Sequence, residues 1–273
     1  MRYVLSLVLS LVAGIAVGWV HRDADQIIVF SVGQGDCALI RSLDHAVLID
    51  DGPLIFGKNT GLTVQKLRES GVNALDAILL SHADADHTAE TRELLQEYPG
   101  VHVVMSDQFR TYPAMIHELS DWHLPSSSVV WLPQRSHMQV GKFSLLMLCP
   151  PFSGGKEDNN GSMFVRVSTT YGLATFSGDA PDFVEKAMEP TANWHAEVLH
   201  VGHHGSRTST GESWIQAVEP SVAVISVGRN NSHGHPTKET LDRLEAAHVP
   251  VLRTDRDGDL VFDLIEGKLV REK

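Results

Sequence analysis

Within the six positions His82-Ala83-Asp84-Ala85-Asp86-His87, two imidazoles and two carboxylates are able to ligate a metal ion. The run directly follows Ala77-Ile78-Leu79-Leu80, an apolar stretch with the composition of a buried strand. Side chains that share an ion must converge from a rigid base, and a strand running into a helix start provides one. Imidazole suits zinc or manganese, and the carboxylates add hard oxygen donors. Asp84-x-Asp86 also has the look of a calcium loop, but the further Asp, the Gly and the closing Glu of such loops are missing at loop spacing. The hexad therefore reads as a metal site at a strand end.

Two further stretches share this placement. Ala174-Thr175-Phe176-Ser177-Gly178-Asp179 ends a strand on an acid, with Gly178 permitting close backbone approach. An Asp after Gly is most often a turn residue, yet a site for two ions needs a carboxylate that bridges them. Residues 197–206 end a strand in His203-His204-Gly205-Ser206. Packing does not explain adjacent imidazoles there, whereas His200, inside the strand, reads equally well as core. Asp50-Asp51-Gly52 is either an Asp-Gly turn or the source of an acid that orients a ligating histidine from behind. Finally, residues 226–236 join a strand to a helix through polar side chains and backbone N–H groups that suit an anionic oxygen. Arg229 and His235 there could hold a phosphate or donate a proton to a leaving group; His233 reads as a solvated loop residue.

The elements that must position these residues follow from the remaining pattern. Residues 26–32, 36–41 and 45–50 are short β-rich runs split by turn residues, a meander at the start of the domain. Residues 60–70 show helical spacing through Leu62, Val64 and Leu67, closed by Gly71. A strand over 75–81 and a helix over 88–98 bracket the hexad. The stretch 106–135 is less regular, with a helix near 113–122 and a Ser-rich turn at 126–128. Strands then follow at 143–148, 163–168, 173–177, 197–201, 222–227 and 251–253. Helices near 181–188, 211–218 and 238–248 are interleaved with them. The pattern implies two sheets packed face to face with helices on both outer sides.

Composition narrows the function. The chain has 273 residues, 42% hydrophobic and 21% charged, which fits a globular domain with a sizeable core. A net charge of −12 argues against a broad basic surface that coats nucleic acid. It leaves room for a nuclease, because bound divalent metals supply positive charge locally. Cys37 and Cys149 lack C-x-x-C spacing, so a zinc ribbon or disulfide scaffold is not expected and both read as buried thiols. Residues 3–20 are apolar, broken only by Ser6, Ser10, Gly14 and Gly18, and are preceded by Arg2. That fits either a minimal membrane span or a secretory signal. Residues 1–22 are therefore read as a signal peptide or an N-terminal membrane anchor. Residues 26–273 form the catalytic domain, which is then expected outside the cytoplasm, periplasmic, extracellular or tethered.

The hexad resembles the H-x-[HD]-x-D-H signature of the metallo-β-lactamase superfamily. Residues 30–36, 48–52, 81–87, 160–162, 177–179, 203–206 and 231–236 are, in the same order, similar to the hydrolase domain at the carboxyl end of ComEC-type DNA-uptake proteins. The resemblance implies an α/β (α+β) fold, a four-layer αββα sandwich with two divalent ions, zinc or manganese, between its sheets. By position His82 and Asp84 would hold one ion and Asp86 and His87 the other. Asp179 would bridge them, His203 would complete the ligand set of the second ion, and Asp50 would orient a ligand from behind. Asn160 or Ser162 stands where the superfamily usually has a third-motif histidine. Together with His204, Ser206, Arg229 and His235 they make up the expected substrate-binding set, Asp86 and His235 being the expected catalytic residues. Where the family usually has a Gly-Gly pair, this chain has Thr88-Ala89-Glu90. The reaction implied is hydrolysis by hydroxide generated at two metals roughly 3.5–4 Å apart. The substrate implied is nucleic acid or a small phosphodiester, with an amide, lactone or other small ester as the alternative. No obligate protein partner is expected, and the membrane is a partner only through an uncleaved N-terminal segment.

Overall fold

The computed structural model describes residues 24–53, 61–123, 128–151 and 158–272. The expected signal or anchor segment, residues 1–22, lies outside them, as does most of the Ser-rich turn. Among the described residues no helix is long and apolar enough to cross a membrane.

Strands β1 (Gln26–Val29), β2 (Ala38–Ser42) and β3 (His45–Ile49) form the expected meander. β3 continues in parallel to β4 (Ala77–Leu79), β5 (His102–Ser106) and β6 (Val129–Leu132). The crossovers carry helices α1 (Leu62–Glu69), α2 (Ala85–Thr88), α3 (Thr91–Glu97) and α4 (Pro113–Trp122). The second half begins with the antiparallel run β7 (Arg135–Val140), β8 (Phe143–Leu148), β9 (Phe164–Ser168) and β10 (Gly172–Phe176). It turns parallel at β11 (Val198–His200), β12 (Val222–Ile225) and β13 (Val251–Arg253), crossing through α5 (Asp182–Met188), α6 (Glu212–Val218) and α7 (Lys238–Ala246). After the single turn α8 (Thr254–Asp257) the chain returns to the first sheet as β14 (Leu260–Ile265) and β15 (Lys268–Arg271). One sheet is ordered β15-β14-β1-β2-β3-β4-β5-β6, the other β13-β12-β11-β10-β9-β8-β7.

Side-chain alternation builds the layers. In β1, Ile27 and Val29 enter the inter-sheet core with Phe143, Leu145 and Val165, while Ile28 and Phe30 pack outward beneath the α1 to α4 layer. The outer face of the second sheet is covered by α5, α6 and α7 through Phe164, Trp194, Trp214 and Ile215. The result is the expected αββα sandwich. Phe164 is fully buried, with ring centroids 5.7 Å from Trp194 and 5.3 Å from Trp214. Phe164→Ala is expected to cost about 3–5 kcal/mol, read by urea denaturation. A loss below about 1 kcal/mol would show that the aromatic cluster does not hold this layer.

Strands β5, β6, β7, β14 and β15 were not expected from the sequence. β7 and β15 are sheet edges of mostly exposed, polar residues, which give no apolar run to read. Cys37 and Cys149 are both buried and unbridged, and burial pushes the Cys149 thiol up to about 11.

Candidate active site

In-register pairing of β3 with β4 sets Ile49 beside Leu79, so the two strands end together. Asp50 follows β3 in the left-handed region (φ 57), which Asp tolerates better than most residues. Its carboxylate accepts hydrogen bonds from Ser81 N–H (2.7 Å) and Ser81 Oγ (2.8 Å), and lies 2.9 Å from His87 Nδ1. One buried acid thus fixes both the strand end and the imidazole on α2. Ser81 Oγ also lies 2.9 Å from His82 Nδ1. With their Nδ1 atoms engaged, both histidines turn Nε2 toward Asp179.

Asp179 arrives from the other sheet. Gly178 makes this possible: its φ is +50, and a Cβ there would sit 2.9 Å from Ser81 Cβ. The Asp179 N–H donates to Ser162 Oγ at 3.2 Å. His82, His87 and Asp179 each offer a ligand atom, all within 4.8 Å of one another, and so do Asp86, His87 and His204. Among the described residues His82 Nε2, His87 Nε2 and Asp179 Oδ1 are buried without a hydrogen bond, His87 Nε2 facing Asp179 Oδ1 as an ion pair at 3.3 Å. Buried polar atoms seldom go unpaired in the apolar interior of a protein, so this donor set fits a metal centre. The partly exposed Asp84 joins it, its Oδ2 3.5 Å from His82 Nε2.

Electrostatics follow the same geometry. Burial opposes charge on His87, but the carboxylates of Asp179 and Asp50 outweigh it and hold the imidazole well above its ordinary range. Burial likewise opposes charge on His204, and Asp179 and Asp36 outweigh it. Asp179 is held well below the usual carboxylate range, because His87 and His204 overcome the effect of burial. His235 is pushed down to about 4 by burial and by the neighbouring His203 and His204.

The structure divides the adjacent histidines differently from the sequence expectation. His204, not His203, stands with Asp86 and His87: its Nε2 is 3.1 Å from Asp86 Oδ2 and its side chain is 2% exposed. His203 is 31% exposed and approaches Asp179 Oδ2 at 3.4 Å from the rim. Both residues have φ near +50, a strained pair of left-handed conformations that sends their rings apart, 80° between planes. The turn is pinned by Gly202 N–H donating to Thr210 Oγ1 and His203 N–H donating to the Gly178 carbonyl.

Glu185 on α5 anchors that turn by accepting from the N–H groups of Thr210 (2.8 Å) and Gly211 (2.9 Å). Burial outweighs these donors and raises its carboxyl from 4.5 to about 7. Because the folded-state value lies above the unfolded one, the folded chain binds this proton more tightly. Its contribution to stability is full below about 4.5 and is lost as pH rises through about 7, on the order of 3 kcal/mol in all. Denaturation of Glu185→Gln at pH 5 and pH 8 is expected to show a smaller pH effect than the parent chain. Equal slopes would remove Glu185 as the source.

Other expected site residues are placed elsewhere. Ser162 holds the Asp179 backbone rather than facing open space, and the Ser206 hydroxyl pairs with Thr208 Oγ1 at 2.9 Å. Arg229 is exposed and donates to the Asp255 carbonyl, so no contact brings it to the cluster. Asn160 is half-buried, with Oδ1 unpaired. His235 stands at the rim, its ring 5.7 Å from His203 and its Nδ1 buried without a partner. Asn231 clamps its backbone at both N–H and carbonyl.

The sequence reading passed over Asp36. Its Oδ1 lies 3.2 Å from His204 Nδ1, which also donates to the Ser226 carbonyl at 3.1 Å. Asp36 therefore stands behind His204 as Asp50 stands behind His87; the polar end of Gly33-Gln34-Gly35-Asp36, just before an apolar strand, was its only sequence signal. Glu90 explains the departure at Thr88-Ala89-Glu90. Its carboxylate accepts from Leu62 and Thr63 N–H at the start of α1, a cap that glycine could not supply.

Known proteins share the sequence and the fold. ComE operon protein 3 of Bacillus subtilis (strain 168) is 28% identical over 250 residues, covering 86% of this chain and 32% of that protein. Competence protein ComA of Neisseria gonorrhoeae is 30% identical over 250 residues, covering 91% and 33%. The chain thus spans about a third of the length of these curated relatives. The metallo-beta-lactamase fold protein YhfI from Bacillus subtilis superimposes with a TM-score of 0.59 at 15% identity, covering 88% of this chain and 99% of that one. The family model for the metallo-beta-lactamase superfamily matches residues 31–229, which include the hexad, Asp179 and the paired histidines. The chain belongs to the metallo-beta-lactamase superfamily of metal-dependent hydrolases.

Proposed function

We propose that the chain is a two-metal phosphodiesterase, acting on DNA or a smaller phosphodiester outside the cytoplasm. The observation that carries this reading is the inward-facing set of buried ligand atoms without hydrogen bonds on His82, His87 and Asp179, beside a second set on Asp86, His87 and His204. His82, Asp84 and Asp179 would hold one ion and Asp86, His87 and His204 the other, with Asp179 available to both. Mixed imidazole and carboxylate donors suit zinc or manganese. Bound there, such ions would supply the Lewis acidity that activates water and offsets the charge of a phosphodiester. Asp50 and Asp36 keep His87 and His204 oriented, and His235 stands beside His203 at the rim. Similarity to a protein named for competence directs the choice of substrate to DNA. Residues 1–22 keep the domain at the membrane if they are retained.

One observation favours hydrolysis of an amide or lactone instead. Arg229, the expected phosphate donor, is held on the Asp255 carbonyl. The purified chain is therefore assayed on bis-p-nitrophenyl phosphate, single-stranded DNA, a lactone and a chromogenic β-lactam, each with Mn²⁺ or Zn²⁺. Metal-dependent cleavage of the phosphodiesters, abolished by chelator and by Asp86→Ala, is expected. Turnover confined to the lactone or lactam would overturn the phosphodiesterase reading, and activity surviving Asp86→Ala would overturn the two-metal site.

A further inference from the structure

We infer that the end of the sandwich opposite the metal cluster, marked by Leu43 and Ile265, rests on a lipid bilayer, so that the candidate active site faces away from the membrane. The inference rests on the reading of residues 1–22 as a retained anchor and adds the orientation of the domain to it.

The chain enters the fold at that far end. Asp25 precedes β1, and its carbonyl accepts from Leu264 N–H at 2.8 Å. Its carboxylate takes Ser42 Oγ and Lys142 Nζ. Three hairpin turns therefore surround the entry point: β2 to β3 at Leu43-Asp44, β7 to β8 at Gly141-Lys142, and β14 to β15 at Glu266-Gly267. The metal cluster lies at the other end, since Asp36 precedes β2 there and Ser42 closes β2 here. Five residues of β2 separate the two ends by about 17 Å.

Two observations point to lipid as the occupant. The first is chain length. Only His21, Arg22 and Asp23 separate the apolar stretch 3–20 from Ala24. Four peptide steps reach at most about 14 Å however they run, so an anchored apolar stretch brings this end to the headgroups. The second is what the turns expose. Leu43 is 56% exposed at a left-handed turn position (φ 57), where solvent contact and backbone geometry both favour Asn, Asp or Gly. Ile265 is 51% exposed beside the third turn, with Val270, 46% exposed, diagonal to it on the same face. Charge is not the attraction. Lys142 is paired with Asp25, leaving Asp44 and Glu266 against Lys268. The contact is apolar and needs no anionic lipid.

The test uses the full chain reconstituted in phosphatidylcholine vesicles carrying nitroxide lipid. A fluorophore is attached at Leu43→Cys, at Ile265→Cys or, at the cluster end, at the exposed Ser232→Cys. The native Cys37 and Cys149 are buried and label slowly. Each labelled chain is first shown to keep the parental circular dichroism spectrum and urea midpoint, which report an intact fold. The expected result is flotation with the vesicles and at least twofold stronger quenching at 43 and 265 than at 232. Flotation with equal quenching at all three, or with quenching at 232 alone, overturns the orientation and leaves the anchor standing. Absence of flotation of the full chain overturns both, and leaves the metal-hydrolase reading untouched.

Discussion

Asp179→Asn is expected to lower metal-supported kcat/KM on the order of 10³-fold and to leave the fold intact. The amide matches the carboxylate in volume, and the Asp179 backbone N–H keeps its acceptor on Ser162. What changes is charge and donor chemistry at the point where His87 Nε2 (3.3 Å) and His203 Nε2 (3.4 Å) both face the carboxylate. An amide presents one oxygen in place of two and carries no charge, so it cannot serve two cations. Loss of a partner behind a ligand typically costs 10–100-fold in metal affinity or activity, and loss of a shared ligand must exceed that. Metal content measured on the purified variant and hydrolysis of bis-p-nitrophenyl phosphate check the prediction together. A variant that keeps two ions per chain and turns over within tenfold of the parent would show that Asp179 is not shared.

Asp50→Asn is the second large effect, and it acts through His87. In the parent chain the carboxylate accepts from both Ser81 donors and faces His87 Nδ1 at 2.9 Å, which keeps Nδ1–H inward and turns Nε2 toward Asp179, where its lone pair would serve a bound ion. The Ser81 N–H needs the amide oxygen in the place of Oδ1, so the NH₂ group takes the place of Oδ2 and faces both Ser81 Oγ and His87 Nδ1. The imidazole then takes the other tautomer and Nε2 carries the proton, which removes its lone pair from metal binding. Metal affinity is expected to fall 10–100-fold, with a smaller change in KM for substrate on the fully loaded enzyme. Titration with Zn²⁺ or Mn²⁺ measures the shift; an affinity within threefold of the parent would show that Ser81 alone orients the site.

How much of this was legible beforehand varies from residue to residue. The hexad could be read directly, because metal ligands at strand ends combine an apolar run with a sudden cluster of acids and imidazoles; Asp179, alone after Gly178, reads first as a turn and takes its role from the family resemblance. The layered fold could be read as well: the strand at residues 143–148 carries a clear apolar pattern, and both it and the helix at 113–122, set in a less regular stretch, fall at those bounds. Edge strands could not be read, because a polar strand paired on one side has no signature of its own.

By itself, then, the sequence determined the superfamily, the αββα layering and the set of ligand-bearing residue types. These are local properties: composition, spacing and the order of motifs. Only the tertiary structure decided which member of His203-His204 points inward, because two left-handed backbone conformations turn adjacent side chains in different directions. It alone set Asp36 behind His204 across 168 positions and took Arg229 away to the Asp255 carbonyl. It also made Glu90 a cap for α1. Each of these depends on which groups the two sheets bring within hydrogen-bond reach, and spacing along the chain carries no record of that.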